Sequence, residues 1–147
     1  MAFSRNDSPG YLTNHLARLF AAGLQSRIKP LGLSTGIFPI MLCLWEKDGQ
    51  TQRDLVVKVG IEQATLANSL SRMERDRLIE RHGDDEDGRI KRNWLTERGK
   101  SLRDPAIAAA MAQNTEALHG LSPEERAEFL RLLKKMVATF GADARPA

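Results

Sequence analysis

The apolar positions of this chain fall into helical periods at both ends and into a mixed helix and strand pattern between them. From Tyr11 to Ile28, the residues Leu12, Leu16, Leu19, Phe20, Gly23 and Ile28 keep to one face of a helix, which is therefore amphipathic and needs a partner surface. Pro30 ends it, and Leu31-Gly32-Leu33 is a turn leading to a Ser34 or Thr35 cap. The second helix is expected to run to about Lys47, with a centre (PIMLCLW) so apolar that it belongs in the interior. Pro39 lies inside it, so either the cap is late and the proline is tolerated, or the helix kinks there. Asp48-Gly49 closes the helix, and Cys43 is expected to pack as a small buried apolar residue. Residues 1–10, polar with Pro9 and Gly10, are expected to form a frayed arm.

The centre of the chain changes period. Thr51 caps a third helix with Asp54 three residues on, close to a capping box, and its N-terminal amides with Gln52 offer a place for a phosphate. Its apolar residues are Leu55, Val56, Val57 and Val59. Gly60 supplies a turn, and Glu62 to Asp76 reads as a fourth helix with Leu66, Leu70 and Met73 on one stripe. Two short strands follow, Ile79 to His82 and Ile90 to Leu95, around the loop GDDEDGR. Helix, turn, helix and hairpin in this order make a winged helix-turn-helix, whose second helix enters the DNA major groove.

The face of that helix opposite its stripe carries Ala64, Thr65, Asn68, Ser71, Arg72 and Arg75. Small residues allow close approach, Asn can pair with adenine, Thr can meet a thymine methyl or a phosphate, and Arg can bind guanine or phosphate. Taken alone, the same face reads equally well as an ordinary surface helix with two arginines. Trp94 is either partly exposed or packed under the wing, and packing is expected. The acidic residues at 84–87 would repel DNA, so the loop must turn them away or pair them with Arg89, Lys91 or Arg92.

Beyond the wing, Thr96 caps a fifth helix that Pro105 kinks or interrupts, and the alanine-rich IAAAMAQNTEALHG favours helix and close helix approach. Ser122-Pro-Glu-Glu125 is a start signal: a cap, Pro at the first position and Glu at the capping-box position. The last helix then shows Phe129, Leu132, Leu133, Met136, Val137 and Phe140 on one broad face.

The run IEQATLANSLSRMERDRLI (61–79), DDEDGR (84–89) and LTERGK (95–100) resembles the MarR family of bacterial transcription regulators, and the resemblance extends over nearly the whole chain. It implies a mainly α fold with a small β-wing: a winged helix-turn-helix lobe (34–99) flanked by N- and C-terminal dimerisation helices (about 11–30 and 101–141), all within one domain, 1–147. It also implies that Arg89 enters the minor groove while Asp87 orients it, which suits the negative potential of a narrow minor groove. A base-reading role for Gln63 comes only from the resemblance, since helix geometry puts that side chain near the buried stripe. Arg77 departs from the pattern, standing where the family has Gly before the first wing strand, so this helix end is expected to be shaped differently. Many members respond to lipophilic or aromatic acids held between the dimerisation helices and the lobe; here that pocket would draw on His15, Arg18, Phe38, Met41, Trp45 and Met111, residues that read more readily as core. The peroxide-sensing branch uses a cysteine near the start of the first helix, and none is present there.

Composition adds limits more than direction. A chain of 147 residues can bury a core without staples, and its one cysteine forbids an internal disulfide. The net charge of +3 permits nucleic-acid binding, but residues 51–100 hold 11 Lys/Arg against 10 Asp/Glu, so the basic residues are local. No apolar run resembles a signal peptide or spans a bilayer, so a cytoplasmic protein without a membrane partner is expected. His15, His82 and His119 sit on separate elements, and no nucleophile elbow, phosphate loop or carboxylate pair appears, so neither an enzyme, a cofactor nor a metal is expected. The expected function is a ligand-responsive repressor that binds double-stranded DNA at an inverted repeat as a homodimer, with half-sites about 10 bp apart. Two other readings stay open: a winged-helix protein-interaction module with an acidic wing, and a metal or redox sensor of the same fold.

Overall fold

The computed structural model describes residues 2–143; Met1, at the tip of the expected arm, and residues 144–147 of the expected domain lie outside the described residues. Among the described residues there are seven α-helices and one three-stranded antiparallel sheet. Part of the expected arm is regular structure. A 3-10 turn at Arg5–Asp7 leads to Ser8, whose Oγ accepts the Tyr11 amide at 3.3 Å and caps helix α1 (Pro9–Ile28). Ser-Pro here acts as Ser122-Pro123 was expected to act, a cap followed by a proline pre-set for the helix.

A 3-10 turn, Lys29–Leu31, ends on Gly32 at φ 78° and turns the chain into helix α2 (Phe38–Glu46). Neither Ser34 nor Thr35 caps α2 through its side chain: the Ser34 carbonyl accepts the Ile37 and Phe38 amides at 3.2 and 3.1 Å, and the Thr35 amide donates to Gln25 Oε1 at 3.0 Å. The helix therefore starts late, and Pro39 falls in its first turn, where its missing N–H costs nothing. Cys43 is half-buried rather than buried, and the burial it has pushes its thiol pKa up.

Strand β1 (Gln50–Thr51) precedes helices α3 (Gln52–Val59) and α4 (Gln63–Arg75); β2 (Ile79–Gly83) and β3 (Lys91–Leu95) form the wing, with β3 central. β1 pairs Gln50 with Asn93 and Thr51 with Arg92, tying the wing base to the start of α3. The core lies between α2, α3, α4 and this wing base. Ile40, Met41, Leu44, Leu55, Leu66, Leu70, Met73 and Leu78 are all at most 1% exposed, each contributing roughly 1.5–3 kcal/mol by leaving water.

Thr96 Oγ1 accepts the Gly99 amide at 3.0 Å and caps α5 (Glu97–Ser101). Helix α6 (Arg103–Ala117) starts afresh after Leu102. The break stands upstream of Pro105 because proline offers no N–H to the Ser101 carbonyl four residues back. Helix α7 (Pro123–Asp143) opens on a full capping box, with Ser122 N donating to Glu125 Oε1 at 2.9 Å and Glu125 N to Ser122 Oγ at 3.1 Å. Helix α1 packs on α6, where Gly23 makes room for the Gln113 amide and Arg27 pairs with Glu116. Leu12, Leu16 and Leu19 of α1 and Leu132, Met136, Val137 and Phe140 of α7 stay exposed within one chain. No helix among the described residues is long and apolar enough to cross a membrane.

Candidate nucleic-acid interface

The helix pair is fixed at each of its ends. At the start of α3, Asp54 N donates to Thr51 Oγ1 and Thr51 N to an Asp54 carboxylate oxygen, both at 3.1 Å. The amide and hydroxyl of Thr51 hold the Asp54 carboxyl below the usual carboxylate range. Gly60, at φ 72°, ends α3 in the left-handed region and makes the turn into α4.

The α4 stripe is buried as its spacing predicts: Leu66, Leu70 and Met73 are at 0% exposure, and Ser69 is buried beside them. Ala64, Thr65, Asn68, Ser71, Arg72 and Arg75 all face solvent. So does Gln63, which corrects its expected place near the stripe. As the first residue of α4 it points its side chain back toward the N-terminus, away from the core beneath Leu66.

The far end of α4 overturns the expectation attached to Arg77. This residue takes φ 60°, the left-handed conformation that a glycine would take there. Its amide bonds the Glu74 carbonyl at 3.0 Å, and the Leu78 amide bonds the Met73 carbonyl at 2.9 Å, a Schellman closure with Leu78 and Met73 packed together in the core. The helix end keeps its shape because its hydrogen bonds and the buried Leu78 outweigh the strain of a side chain at positive φ.

The wing tip is ordered by its own acids. Asp84 Oδ2 accepts the Glu86 and Asp87 amides at 3.1 Å each, and Asp84 Oδ1 accepts Arg92 Nε at 2.6 Å. Arg92 also reaches the Gly49 carbonyl at 3.0 Å. The Arg92 guanidinium, helped by the loop amides, holds the Asp84 carboxyl below its usual range. Asp87 pairs with Arg89, whose guanidinium and amide lower the Asp87 pKa in the same way. Two of the four acids are thus turned onto arginines, while the Arg89 side chain stays 92% exposed at the tip.

The outer strand face differs from expectation at Trp94. Trp94 is 41% exposed, lying over Gly49 on the outer side of the sheet instead of under the wing. The inward position belongs to Asn93, 1% exposed, whose Nδ2 donates to the Gln50 carbonyl and whose Oδ1 accepts Arg81 Nε, both at 3.0 Å. Alternation along Lys91–Leu95 marks Asn93 as inward, a signal available in the sequence but masked by the apolar neighbour.

The six residues of the expected effector pocket are divided. Phe38 and Met41 are core residues, and Trp45 packs edge-on to Phe38 while its indole donates to the Gly99 carbonyl at 2.9 Å. His15, Arg18 and Met111 lie on the surface. None of the six lines the cavity of about 570 Å³ between α1 and α6, which is walled by Leu16, Leu19, Phe20, Gly23 and Ala117 above Arg27, Gln113 and Glu116. No group of three or more His, Cys, Asp or Glu placed to hold a metal ion occurs among the described residues: His82 pairs with Glu80, and His15 stacks on Tyr11.

The sequence model of the MarR family matches residues 33–91, which covers α2 through the wing tip. A MarR family transcriptional regulator from Silicibacter pomeroyi is 30% identical, with a TM-score of 0.73 over 98% of this chain and 94% of that one. BpsR of Bordetella bronchiseptica, whose DNA binding is regulated by 6-hydroxynicotinic acid, is 24% identical at a TM-score of 0.85, covering 93% of this chain and 98% of that one. A MarR family regulator from Listeria monocytogenes, solved with a 26mer DNA, is 24% identical at a TM-score of 0.81, covering 97% and 92%.

Proposed function

This chain belongs to the MarR family of transcription regulators, and from that we propose that it binds an inverted-repeat operator as a homodimer in the cytoplasm and represses the genes beside it. The observation that carries the reading is the joint presentation of two DNA-facing parts on one rigid lobe. One is the α4 face of Ala64, Thr65, Asn68, Ser71, Arg72 and Arg75, solvent-exposed above a fully buried stripe. The other is Arg89, held out at the wing tip by Asp87. Asn68 and Thr65 are suited to base edges, Ala64, Ser71 and Gln63 to close approach and hydrogen bonding, Arg72 and Arg75 to phosphates or guanine, and Arg89 to the minor groove.

Dimerisation follows from the exposed apolar rows of α1 and α7, which one chain leaves uncovered, so 11–30 and 101–141 serve as dimerisation helices around the lobe 34–99. A two-fold axis would then set two reading helices on successive turns of the same DNA face. By analogy with BpsR, the input is a small aromatic acid. With Phe38 and Met41 packed in the core and His15, Arg18 and Met111 on the surface, such a ligand would meet the surface three first. It acts by favouring a spacing of the two lobes that misfits the groove.

The test is selection of bound genomic fragments by the purified protein at two salt concentrations. An enriched inverted repeat whose base preference is relaxed by Asn68→Ala supports the reading. Salt-sensitive binding with no enriched site reduces the protein to a non-specific DNA binder, and no binding favours a protein-interaction module.

A further inference from the structure

A second basic surface lies beside the reading face, at the C-terminal end of α4. Lys29 and Ser34, from the junction between α1 and α2, face Arg72, Arg75 and Asp76 across a cleft of about 310 Å³. Arg98 joins them from α5: its Nη1 donates to the Asp76 carbonyl at 3.1 Å, and a Cβ on Gly32 would lie 3.1 Å from its Nη2. Lys29, Arg72 and Arg75 thus line one cleft with a single carboxylate, Asp76, which already accepts Arg75 Nε at 3.2 Å, and Arg98 stands at its edge on the Asp76 carbonyl. Lys29 and Arg72 have no acidic partner, and the Ser34 hydroxyl makes no hydrogen bond, among the described residues.

An ordinary solvated surface of this protein would not look like this. Residues 51–100 as a whole are nearly balanced, with 11 Lys/Arg against 10 Asp/Glu. The wing acids are turned onto arginines, whereas these cations are left with a surplus. They are also held in place before any ligand arrives. The 3-10 turn ending on Gly32 fixes Lys29 and Ser34 relative to the core through buried Ile28 and Leu33, and Arg98 is tied to the α4 C-terminus. Lysine as a point charge, arginine as a planar fork and serine as a hydroxyl donor form the donor set by which proteins hold phosphate oxygens.

We propose that this cleft grips the DNA sugar-phosphate backbone at the rim of the groove that α4 reads, making Lys29, Ser34 and Arg98 further DNA-contact residues. The proposal rests on the reading of α4 as the recognition helix. It divides the labour along that helix: the Thr65 and Asn68 end addresses bases, while the Arg72 and Arg75 end, with the α1–α2 junction behind it, addresses backbone and sets register without reading sequence.

Lys29 gives the cleanest test, since it is exposed and its side chain makes no hydrogen bond or ion pair among the described residues. The full chain carrying Lys29→Ala is compared with wild type for affinity to the selected operator and to an unrelated duplex across a salt series, with phosphate-ethylation interference on the operator. The expected result is weaker binding to both duplexes by a similar factor, a log–log salt slope shallower by about 0.9, loss of one interfering phosphate, and restoration of all three by Lys29→Arg. A wild-type slope and interference pattern in Lys29→Ala, with Asn68→Ala still relaxing base preference, overturns the cleft while leaving α4 as the reading helix. An inert Asn68→Ala in a protein that selects no operator overturns the underlying reading, and the cleft with it. If Lys29→Ala abolishes capture of a polyglutamate probe but leaves DNA binding unchanged, the surface serves an acidic polypeptide and the proposal fails.

Discussion

The Asp87 carboxylate holds Arg89 at three points: Oδ1 accepts the Arg89 backbone amide at 3.1 Å and Nε at 3.0 Å, and Oδ2 accepts Nη2 at 3.2 Å. One acid therefore fixes both the turn that carries the arginine and the plane of its guanidinium. If Asp87 acts on DNA only through Arg89, the two substitutions are not additive. Asp87→Ala is expected to weaken operator binding, Arg89→Ala to weaken it more, and the double variant to bind like Arg89→Ala alone. Titrations of the four proteins against one operator give the cycle, and additive losses would refute the positioning role.

Acid should loosen the interface late. Asp54, Asp84 and Asp87 all have folded pKa values depressed, by the Thr51 amide and hydroxyl, by Arg92 and by Arg89 respectively. A depressed carboxyl contributes stability that is present above its unfolded pKa and is lost as pH falls through its folded one. Side-chain carboxyl shifts followed by NMR are accordingly expected to titrate below the usual carboxylate range in wild type. Arg92→Ala should move the Asp84 midpoint up while leaving that of Asp54 nearly unchanged; equal movement of both would mean that the shifts are not local.

Arg77 is a place where stability can be raised. A side chain in the left-handed region costs roughly 1–2 kcal/mol, partly offset by the greater chain entropy of an unfolded glycine. Arg77→Gly is expected to stabilise the fold by about 0.5–1 kcal/mol, and Arg77→Ala, which keeps the Cβ, to change it little. Urea unfolding of the three proteins measures this, and equal midpoints for Gly and Ala would show that the backbone there is not strained.

Gly99 is the opposite case. A Cβ added to it would overlap the Leu78 carbonyl oxygen, which already accepts the Thr96 amide and hydroxyl, and the Gly99 carbonyl itself accepts the Trp45 indole. Gly99→Ala should cost about 2–3 kcal/mol by forcing α5 away from the α4–β2 joint. A thermal midpoint within a degree of wild type would refute that contact.

Much of this architecture was legible because it is local. The α4 stripe follows a 3.6-residue period, the boxes at Thr51 and Ser122 are side-chain to backbone bonds three residues apart, and all three are present. What the chain hid depends on partners far away. Strand β1 is two residues long, carries no period, and exists only because Asn93, 43 positions on, accepts its pairing. Trp94 was expected inward because it is apolar, yet its register opposite Glu80 puts both on the outer face. Phe38 and Met41 show the same limit at the effector region, since an apolar residue on a central helix reads alike as pocket wall and as core. Lys29 carries no such signal, because nothing in the sequence brings it to Arg72 and Arg75; the Gly32 turn does that.

The exposed row of α7 makes a prediction about assembly. Met136 and Phe140, one turn apart, are 50% and 72% exposed. Met136→Glu with Phe140→Glu is expected to give a folded monomer by sedimentation that binds the full operator no better than a single half-site. A dimer that survives both charges would move the interface off this face.

Asn93, buried between Gln50 and Arg81, has a mechanical consequence. With β3 stitched to β1 on one side and β2 fed directly from the α4 closure on the other, the base of the wing is tied to the reading helix from both sides. Each lobe is then a solid jaw, and a dimer of them is a caliper whose only adjustable quantity is its opening. The play for that opening is left to the two joints where the lobe leaves the long helices, the 3-10 turn at Lys29–Leu31 and the break at Leu102. An effector that stiffened or bent either joint would reset the gauge of the instrument without touching a single tooth.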